Sequence, residues 1–261
     1  MNCLTISDLT KYYGKTAALR DVSFSMTPGI YGLLGPNGAG KSTLMQILTQ
    51  TLHADRGSIT WNGNILGRNA AAGVNKSFFG KLSYVPQQQA LFPDFTAWEY
   101  LDYISILKEV PENRIESEIM RVLKDVELGD HAGERIRTFS GGMRQRLMIA
   151  QSLMNDPLVI LLDEPTTGLD PRQRMILKDL LKEKSHDTII LLSTHIVSDI
   201  EALADQVILI NHGRIVTMKP PADLIREADI SSINHGHDKD REVLSELEKA
   251  YLYYCREDMQ V

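Results

Sequence analysis

The chain has 261 residues, which suits one large domain or a domain that carries a smaller lobe. Its hydrophobic fraction of 43% and charged fraction of 24% are ordinary for a globular protein, and its formal net charge of −6 argues against nucleic acid as the main partner. Two cysteines near opposite ends, Cys3 and Cys255, argue against a disulfide framework, and no apolar run approaches the roughly 18 residues that span a bilayer, so any membrane crossing is expected of another chain.

The first third of the chain predicts β-strands and one helix. Apolar and polar residues alternate in the early segments, where Val22, Phe24 and Met26 define one face. The apolar spacing of residues 41–52 predicts an amphipathic helix directly after a glycine-rich loop. The predicted strands cover residues 3–9, 19–26, 29–35, 57–63 and 81–87.

The middle of the chain, from about residue 88 to 155, has a mostly helical pattern. Residues 110–128 predict an amphipathic helix with a proline near its first turn. Aromatic residues crowd the beginning of this segment, and they are Phe92, Phe95, Trp98, Tyr100 and Tyr103. Because aromatic side chains are enriched at protein interfaces, we expect one or two of them to contact a partner and the others to fill a small core.

The last third of the chain returns to strands that alternate with helices. The apolar runs at residues 158–165 and 188–195 predict buried parallel strands, and residues 206–218 predict a hairpin that turns at His212-Gly213. Residues 231–242 are polar and predict a linker, which a last amphipathic helix follows. This alternation implies a parallel α/β sheet with the helical middle inserted as a lobe. We predict a domain over residues 1–220, with a helical subdomain at about 88–155, and a short helical extension over 221–261.

The glycine-rich loop GPNGAGKST, which begins at Gly35, matches the P-loop pattern G-x-x-x-x-G-K-[ST] between a predicted strand and a predicted helix. Gly35, Gly38 and Gly40 let backbone N–H groups close around phosphates. Lys41 places a positive charge at the β- and γ-phosphates, and Ser42 can ligate Mg²⁺. The loop therefore predicts nucleoside triphosphate binding.

A second motif, ILLDEP, ends the buried strand at residues 158–165. Asp163 falls at the carboxyl end of that strand, where ligands gather in parallel α/β sheets, and it can hold Mg²⁺ directly or through water. Glu164 follows and would be aimed past the metal, where a carboxylate can act as base or orient an attacking water. The pair predicts hydrolysis of the bound triphosphate.

A third motif, FSGGMRQR, places Ser140, Gly141 and Gly142 at the start of a predicted helix. Bare backbone N–H groups at a positive helix end form an anion-binding site. The chain thus carries two phosphate-binding turns about a hundred residues apart, more than one nucleotide needs.

With these motifs in order, residues 4 to about 220 resemble an ATP-binding cassette (ABC) ATPase. The family's glutamine matches Gln87, its signature begins at Phe139, its aspartate loop carries Asp170, its switch histidine matches His195 and its adenine-stacking aromatic matches Tyr13, although Tyr12 is an alternative. The resemblance implies a P-loop NTPase parallel-sheet core with an N-terminal antiparallel β subdomain and an inserted α-helical subdomain.

The resemblance also implies the roles of the site residues. Gln87 would sense Mg²⁺ and the water, with Ser42 and Asp163 as the other metal contacts, and His195 would contact the γ-phosphate. Catalysis would involve Glu164, His195, Gln87 and Lys41. The ATP-contacting loop would comprise Gly35, Pro36, Asn37, Gly38, Ala39, Gly40, Lys41, Ser42 and Thr43, beside Tyr13.

The resemblance explains the second phosphate-binding turn. In the family, two cassettes pack head to tail, so Ser140, Gly141, Gly142 and Asp170 would contact the ATP held by the partner's P-loop. The partner would be a second ABC ATPase subunit, either an identical copy or a different chain. Two positions depart from the usual signature, Phe139 for Leu and Met143 for Gln, and neither supplies the phosphate donors.

The sequence therefore predicts the ATPase subunit of an ABC transporter with ATP and Mg²⁺ as cofactors, bound to integral membrane permease subunits at the cytoplasmic face of the cell membrane. The SGGM signature and the aromatic segment resemble bacterial exporters, which favours export over import. The alternatives are a soluble ABC ATPase acting in DNA repair, translation or cofactor assembly, and a scaffolding cassette without catalysis. A DNA-repair protein of this family would carry a long coiled-coil insertion and a translation factor would carry tandem cassettes, and the sequence shows neither. A scaffolding cassette would lack Glu164 or His195, and both residues are present.

Overall fold

A computed structural model describes residues 2–87, 91–228 and 244–256 of the chain. The predicted linker at 231–242 lies outside these residues. The strands are β1 (Leu4–Tyr13), β2 (Thr16–Met26), β3 (Gly29–Leu34), β4 (Arg56–Trp61), β5 (Asn64–Ile65), β6 (Leu82–Val85), β7 (Val159–Asp163), β8 (Ile189–Ser193), β9 (Gln206–Asn211) and β10 (Arg214–Lys219). The helices are α1 (Lys41–Leu48), α2 (Val74–Phe79), α3 (Ala97–Leu107), α4 (Ile115–Asp125), α5 (Gly141–Ser152), α6 (Pro171–Lys184), α7 (Val197–Leu203), α8 (Pro221–Glu227) and α9 (Glu246–Arg256). None of these helices has the length and apolar character that a membrane crossing requires.

The described strands form one sheet in the order β2-β1-β4-β5 and another in the order β10-β9-β3-β8-β7-β6. The second sheet is mostly parallel: β3 runs parallel to β9, and β6 runs parallel to β7. Its strands β7 and β8 are almost wholly buried, as expected of strands covered on both faces. The prediction of an α/β fold with an antiparallel sheet and a mostly parallel sheet is confirmed.

The hairpin prediction at residues 206–218 is also confirmed. Strands β9 and β10 pair antiparallel, with Arg214 opposite Asn211. Between them, His212 and Gly213 have φ angles of 45° and 77°, and a two-residue turn of this hand matches the twist of the paired strands.

The described chain divides into two compact units. The first comprises Met1–Leu4, Met26–Gly29 and Thr60–Leu192, and the second comprises Thr5–Ser25, Ile30–Ile59 and Ser193–Val261. The helical segment lies in the first unit together with β6 and β7, whereas the glycine-rich loop and α1 lie in the second. The domain boundaries predicted from the sequence remain a prediction.

Within the first unit, buried polar contacts tie three helices together. The hydroxyl of Tyr100 on α3 donates a hydrogen bond to Oε1 of Gln151 on α5, and both side chains are buried. On α4, Glu118 and Arg121 form a two-point ion pair with distances of 2.7 and 3.1 Å. Arg121 also donates to the carbonyl of Leu153, so α4 is fixed against the end of α5. These contacts hold α5, whose first residues carry the signature motif.

Candidate functional site

The loop between β3 and α1 has a backbone that requires glycine. Gly40 has a φ of 109°, and a Cβ there would lie 2.6 Å from the carbonyl oxygen of Ala18. A Cβ on Gly35 would lie 2.2 Å from the carbonyl oxygen of Ile210. Any other residue at either position would force the backbone apart, so the loop keeps its tight turn only with these glycines.

Helix α1 begins directly after this loop, with Gly40 as its N-cap residue. The first backbone bond of the helix is donated by Leu44 to the carbonyl of Gly40, at 2.9 Å. The N–H groups of the preceding first turn have no partner inside the helix, and they lie at its positive end. No acidic side chain occupies that turn. The predicted phosphate-binding residues therefore form a helix start that suits an anion.

The Lys41 ammonium lies over the same loop. Its Nζ donates to the carbonyl oxygens of Gly35 at 2.5 Å and Pro36 at 3.1 Å. Ser42 is exposed in the first turn of α1. Both predicted side chains thus sit beside the helix start in the second unit, where Lys41 can neutralise a phosphate and Ser42 can offer a hydroxyl.

The same unit contains the aromatic and histidine candidates. Tyr12 and Tyr13 end β1 and have 45% and 51% of their surface exposed, so exposure does not choose between them as the stacking residue. His195 is exposed in the short connection between β8 and α7. The Ile196 N–H in this connection donates to Oγ1 of Thr194 at 3.1 Å, which fixes the turn beside the histidine.

In the first unit, the parallel pairing of β6 and β7 brings three candidates to one sheet edge. Val85 lies opposite Leu162, so the residues that follow each strand leave the sheet side by side. Asp163 ends β7 and Glu164 follows it, while Gln87 is exposed two residues after β6. These are the carboxyl ends of parallel strands, where ligands bind in such sheets.

The charge of the Asp163 carboxylate affects Tyr84, a residue that the sequence did not indicate. Burial and the negative charge of Asp163 raise the pKa of Tyr84 on β6 above its usual value. The phenol therefore stays protonated and able to donate hydrogen bonds beside the acidic strand end. A tyrosine in a strand carries no sequence signal for this position, because only the register of β6 on β7 brings it near Asp163.

Glu164 has an unusual backbone. Its φ is +54°, in the left-handed region, although it is not a glycine, and the residue is 9% exposed. Such a conformation costs of order 1 kcal/mol and persists when surrounding contacts impose it. Its carbonyl accepts a hydrogen bond from the N–H of Thr167 at 3.3 Å, which closes the turn. Strained residues of this kind are common in active sites.

The signature motif forms the N-terminus of α5. Ser140 is its N-cap, and the Ser140 Oγ accepts a hydrogen bond from the N–H of Met143 at 3.2 Å. Gly141 is exposed, and a Cβ there would meet no atom within 4 Å. A Cβ on Gly142 would lie 2.7 Å from Oε1 of Gln173. The start of α5 is thus a second helix start that suits an anion, open at Gly141 and closely packed at Gly142.

Asp170 is the N-cap of α6, and it is hydrogen-bonded to Gln173, the glutamine that packs at Gly142. Its Oδ1 accepts from the N–H of Gln173 at 2.8 Å, and its own N–H donates to Gln173 Oε1 at 3.3 Å. This reciprocal cap, together with the contact of Gln173 at Gly142, brings the aspartate loop and the signature glycines together within one subunit.

Sequence reasoning missed Gln145, a buried side chain one turn into α5. Its Nε2 donates to the carbonyl oxygen of Pro165 at 3.0 Å, directly after Glu164. This contact ties the signature helix to the turn that carries the candidate base. Of the two departures from the usual signature, Phe139 is only 3% exposed and belongs to the core.

Among the described residues, no group of three or more His, Cys, Asp and Glu side chains could hold a metal by itself. The predicted contacts, Ser42, Gln87 and Asp163, offer hydroxyl, amide and carboxylate oxygens. Magnesium prefers this chemistry, with few protein ligands and the remainder from phosphates and water. Each of these oxygen donors is therefore of a kind that suits Mg²⁺.

Comparison with known proteins agrees with the motifs found in the sequence. The family model described as "ABC transporter" matches residues 19–167. The chain is 35% identical over 229 residues to the Nod factor export ATP-binding protein I of Rhizobium etli, covering 87% of this chain and 71% of that one. It is 36% identical over 218 residues to the lantibiotic transport ATP-binding protein of Streptococcus pyogenes, covering 83% and 90%. A solved structure described as an ATP binding subunit of an ABC transporter aligns with a TM-score of 0.80 and 26% identity, over 96% of this chain and 98% of that one.

Proposed function

Because the chain belongs to the ABC transporter family and is an ATPase of that family, we propose that it powers export through separate membrane subunits. The relatives named for export and transport support the direction. They give no support to the alternatives in DNA repair, translation or cofactor assembly. The observation that carries the proposal is the presence of two helix starts built for anions, one after Gly40 and one after Ser140, in a chain that needs only one to hold its own nucleotide.

In this proposal, the residues of the second unit bind the triphosphate. The first-turn N–H groups of α1 and the Lys41 ammonium hold the phosphates, Tyr13 or Tyr12 stacks on the base, and His195 contacts the γ-phosphate. Stacking on an exposed tyrosine adds roughly 1–3 kcal/mol without reading the base.

The acidic strand end of the first unit supplies the chemistry. Mg²⁺, held by Ser42, Asp163 and Gln87, would supply neutralisation of phosphate charge. Glu164 orients the attacking water and accepts its proton, and its fixed turn between β7 and Pro165 keeps the carboxylate in one direction.

The signature residues act on a partner's nucleotide. Ser140, Gly141, Gly142 and Asp170 would close over the ATP held by the P-loop of a second cassette, an identical copy or a related chain. ATP binding then closes the pair, and hydrolysis opens it. The membrane subunits follow this movement. The proposal also has the chain at the cytoplasmic face of the cell membrane.

An exposed cluster of aromatic side chains supports the proposed contact with a membrane subunit. Phe92, Phe95 and Tyr103 are 44%, 37% and 40% exposed, and their rings lie against each other with centroids 5.2 to 6.5 Å apart. Tyr100 is buried and belongs to the core, as the division expected from the sequence requires. Exposed aromatic groups of this kind are typical of protein interfaces.

The catalytic assignment is tested with Glu164→Gln, which keeps size and hydrogen bonding but removes the base. We expect ATP turnover to fall by about 10² to 10⁴ while ATP-dependent association of the subunits persists. Glu183→Gln, at an exposed position of α6, is the control and should retain full turnover. Full turnover by the Glu164 variant would exclude its role as base.

The shared-site assignment is tested by mixing two inactive variants. Gly141→Asp fits sterically but puts a carboxylate where the phosphate binds, and Lys41→Ala weakens the other half of the site. Each variant alone should lose turnover. In a mixture, dimers with one copy of each contain one site whose halves are both intact, so activity should return in part. If mixing restores nothing, the two halves do not act across subunits.

The transporter assignment is tested by purifying a tagged copy from gently solubilised membranes. A polytopic membrane protein recovered in a fixed ratio is the expected result. Recovery only with ribosomes, DNA or assembly factors would overturn the transport proposal and leave the ATPase untouched.

A further inference from the structure

A cavity of about 460 Å³ lies within the first unit, lined by residues of α2 and β6 and by residues at the ends of α3 and α5. Its apolar walls are Phe79, Leu82, Leu107, Met154 and Pro157. Phe79 and Leu107 are 43% and 61% exposed, so an occupant would remove apolar surface from water. Pockets for small molecules have this size and are mostly apolar with a few placed polar groups. We call this space the Lys108 cavity, after the lysine in its lining.

Lys108 and Ser83 form the polar end of the Lys108 cavity. The Lys108 ammonium donates to Oγ of Ser83 at 2.6 Å and to the carbonyl oxygen of Met154 at 3.3 Å. An ammonium has three N–H donors, so these two contacts within the described residues leave one for an occupant. Ser83 is 4% exposed, and because its oxygen accepts from Lys108, its own hydroxyl proton can be donated in turn. Two donors thus lie next to each other in a largely apolar cavity.

The positive charge of Lys108 has no ion-pair partner within the part of the chain that the structure describes. The charge of Glu118 acts on it, but the Glu118 carboxylate is bound by Arg121 at 2.7 Å. Lys76 and Glu109, which also line the cavity, pair with each other at 3.1 Å. Two lysines and one glutamate give the lining a net charge of one positive unit. Because an unpaired ammonium is costly to remove from water, an anion brought to Lys108 would offset part of that cost.

We propose that the Lys108 cavity binds an aliphatic carboxylate, whose oxygens accept hydrogen bonds from Lys108 and Ser83 and whose hydrocarbon chain lies against Phe79 and Leu107. The positive end excludes an amine of the same shape, and the apolar walls discriminate against a small hydrophilic anion such as phosphate. None of these residues belongs to the proposed nucleotide site, so the binding does not depend on the transport function.

The test measures the binding of octanoate to the purified full chain by isothermal titration calorimetry. Octylammonium and 1-octanol, which have the same chain length, and inorganic phosphate are the comparison ligands. We expect octanoate to bind at least about tenfold more tightly than each of them, because only octanoate combines a negative charge with an apolar chain. Hexanoate should bind more weakly than octanoate, by about fourfold for each CH₂ group that loses its apolar contact.

Three variants locate the binding. Lys108→Met keeps an apolar side chain but removes the ammonium, and it should weaken octanoate binding at least about tenfold. Ser83→Ala removes the second donor and should weaken binding by about three- to tenfold. Lys182→Met, at an exposed position of α6 in the same unit, is the matched control and should bind octanoate as the wild type does. Urea unfolding shows whether each variant is folded, and if Lys108→Met is not, the comparison of ligands and Ser83→Ala still decide the question.

Selective binding of octanoate that Lys108→Met loses and Lys182→Met keeps is the expected result. Octylammonium, octanol or phosphate binding as tightly as octanoate would overturn the proposal, and so would a failure of octanoate to bind the wild type. Undiminished binding to folded Lys108→Met, or competition between octanoate and ATP, would place the carboxylate elsewhere and would overturn it as well.

Discussion

The buried ammonium group of Lys108 should make the stability of the protein depend on pH, for reasons that follow from its surroundings. The residue follows the last turn of α3, and its Nζ donates to Oγ of Ser83 at 2.6 Å and to the carbonyl of Met154 at 3.3 Å. Burial lowers the pKa of this ammonium from its usual 10.5 to about 8, and the nearby charge of Glu118 opposes the shift only in part. The folded protein therefore holds the Lys108 proton less tightly than the unfolded chain does.

The sign and size of the pH effect on stability follow from this difference in pKa between the folded and unfolded states. Below about pH 8 both states carry the proton, so the cost of the buried charge is fully present. As the pH rises from about 8 to 10.5, the folded state loses its proton first, and stability increases. Between about pH 7 and about pH 9.5 the gain from this one group is about 2 kcal/mol.

The assay is urea unfolding of the wild type and Lys108→Met at these two pH values, with the difference in unfolding free energy taken at each. Comparing the two chains removes the titrations they share. The wild type should gain about 2 kcal/mol relative to the variant on going to the higher pH. Lys76→Met is the control: this exposed lysine pairs with exposed Glu109, and its loss should cost less than about 1 kcal/mol at either pH. A wild-type gain that is absent, or of opposite sign, would refute the reasoning from burial.

Two other predictions concern α5. Tyr100→Phe removes the hydroxyl that donates to buried Gln151. Because a buried hydrogen bond is lost, the unfolding free energy should fall by about 1–3 kcal/mol; a change below about 0.5 kcal/mol in urea unfolding would contradict this. Gly142→Ala should lower both ATP turnover and stability, because its Cβ would displace Gln173 from the cap of α6; Gly141→Ala, with open space at its Cβ, is the control, and equal unfolding curves for the two would show that the close packing is unimportant.

The elements that carry chemistry were predictable because their signals are local. The loop at 35–43 is recognisable by its glycines, of which Gly38 and Gly40 adopt left-handed conformations. The helix starts at Ser140 and Asp170 are recognisable because these residues are of the types that cap a first turn with their side chains. The buried strands β7 and β8 appear as apolar runs. Each of these features depends on a few consecutive residues, so the sequence alone contains the information.

Other elements gave a weaker local signal. Helix α2 has only six residues, too few to show a helical period. Residues 110–128 predicted one helix, whereas α4 begins at Ile115 after a short 3₁₀ turn at Glu112–Arg114. The proline at 111 marks the region correctly, but where the first regular turn begins depends on packing against α3 and α5 rather than on the pattern itself.

Contacts between motifs were beyond the sequence for a different reason. Nothing in the letters of FSGGMRQR shows that Gln145 reaches the carbonyl of Pro165, since twenty residues separate them and a buried glutamine has many possible partners. The contact exists because α5 packs beside the end of β7, and that packing is fixed by α4 through Arg121 and by α3 through Tyr100. A motif thus reports what its own backbone can bind. Which motifs act together within a subunit is decided by helices whose sequences carry no catalytic signature, and substitutions in those helices should therefore be able to change the chemistry without touching a nucleotide.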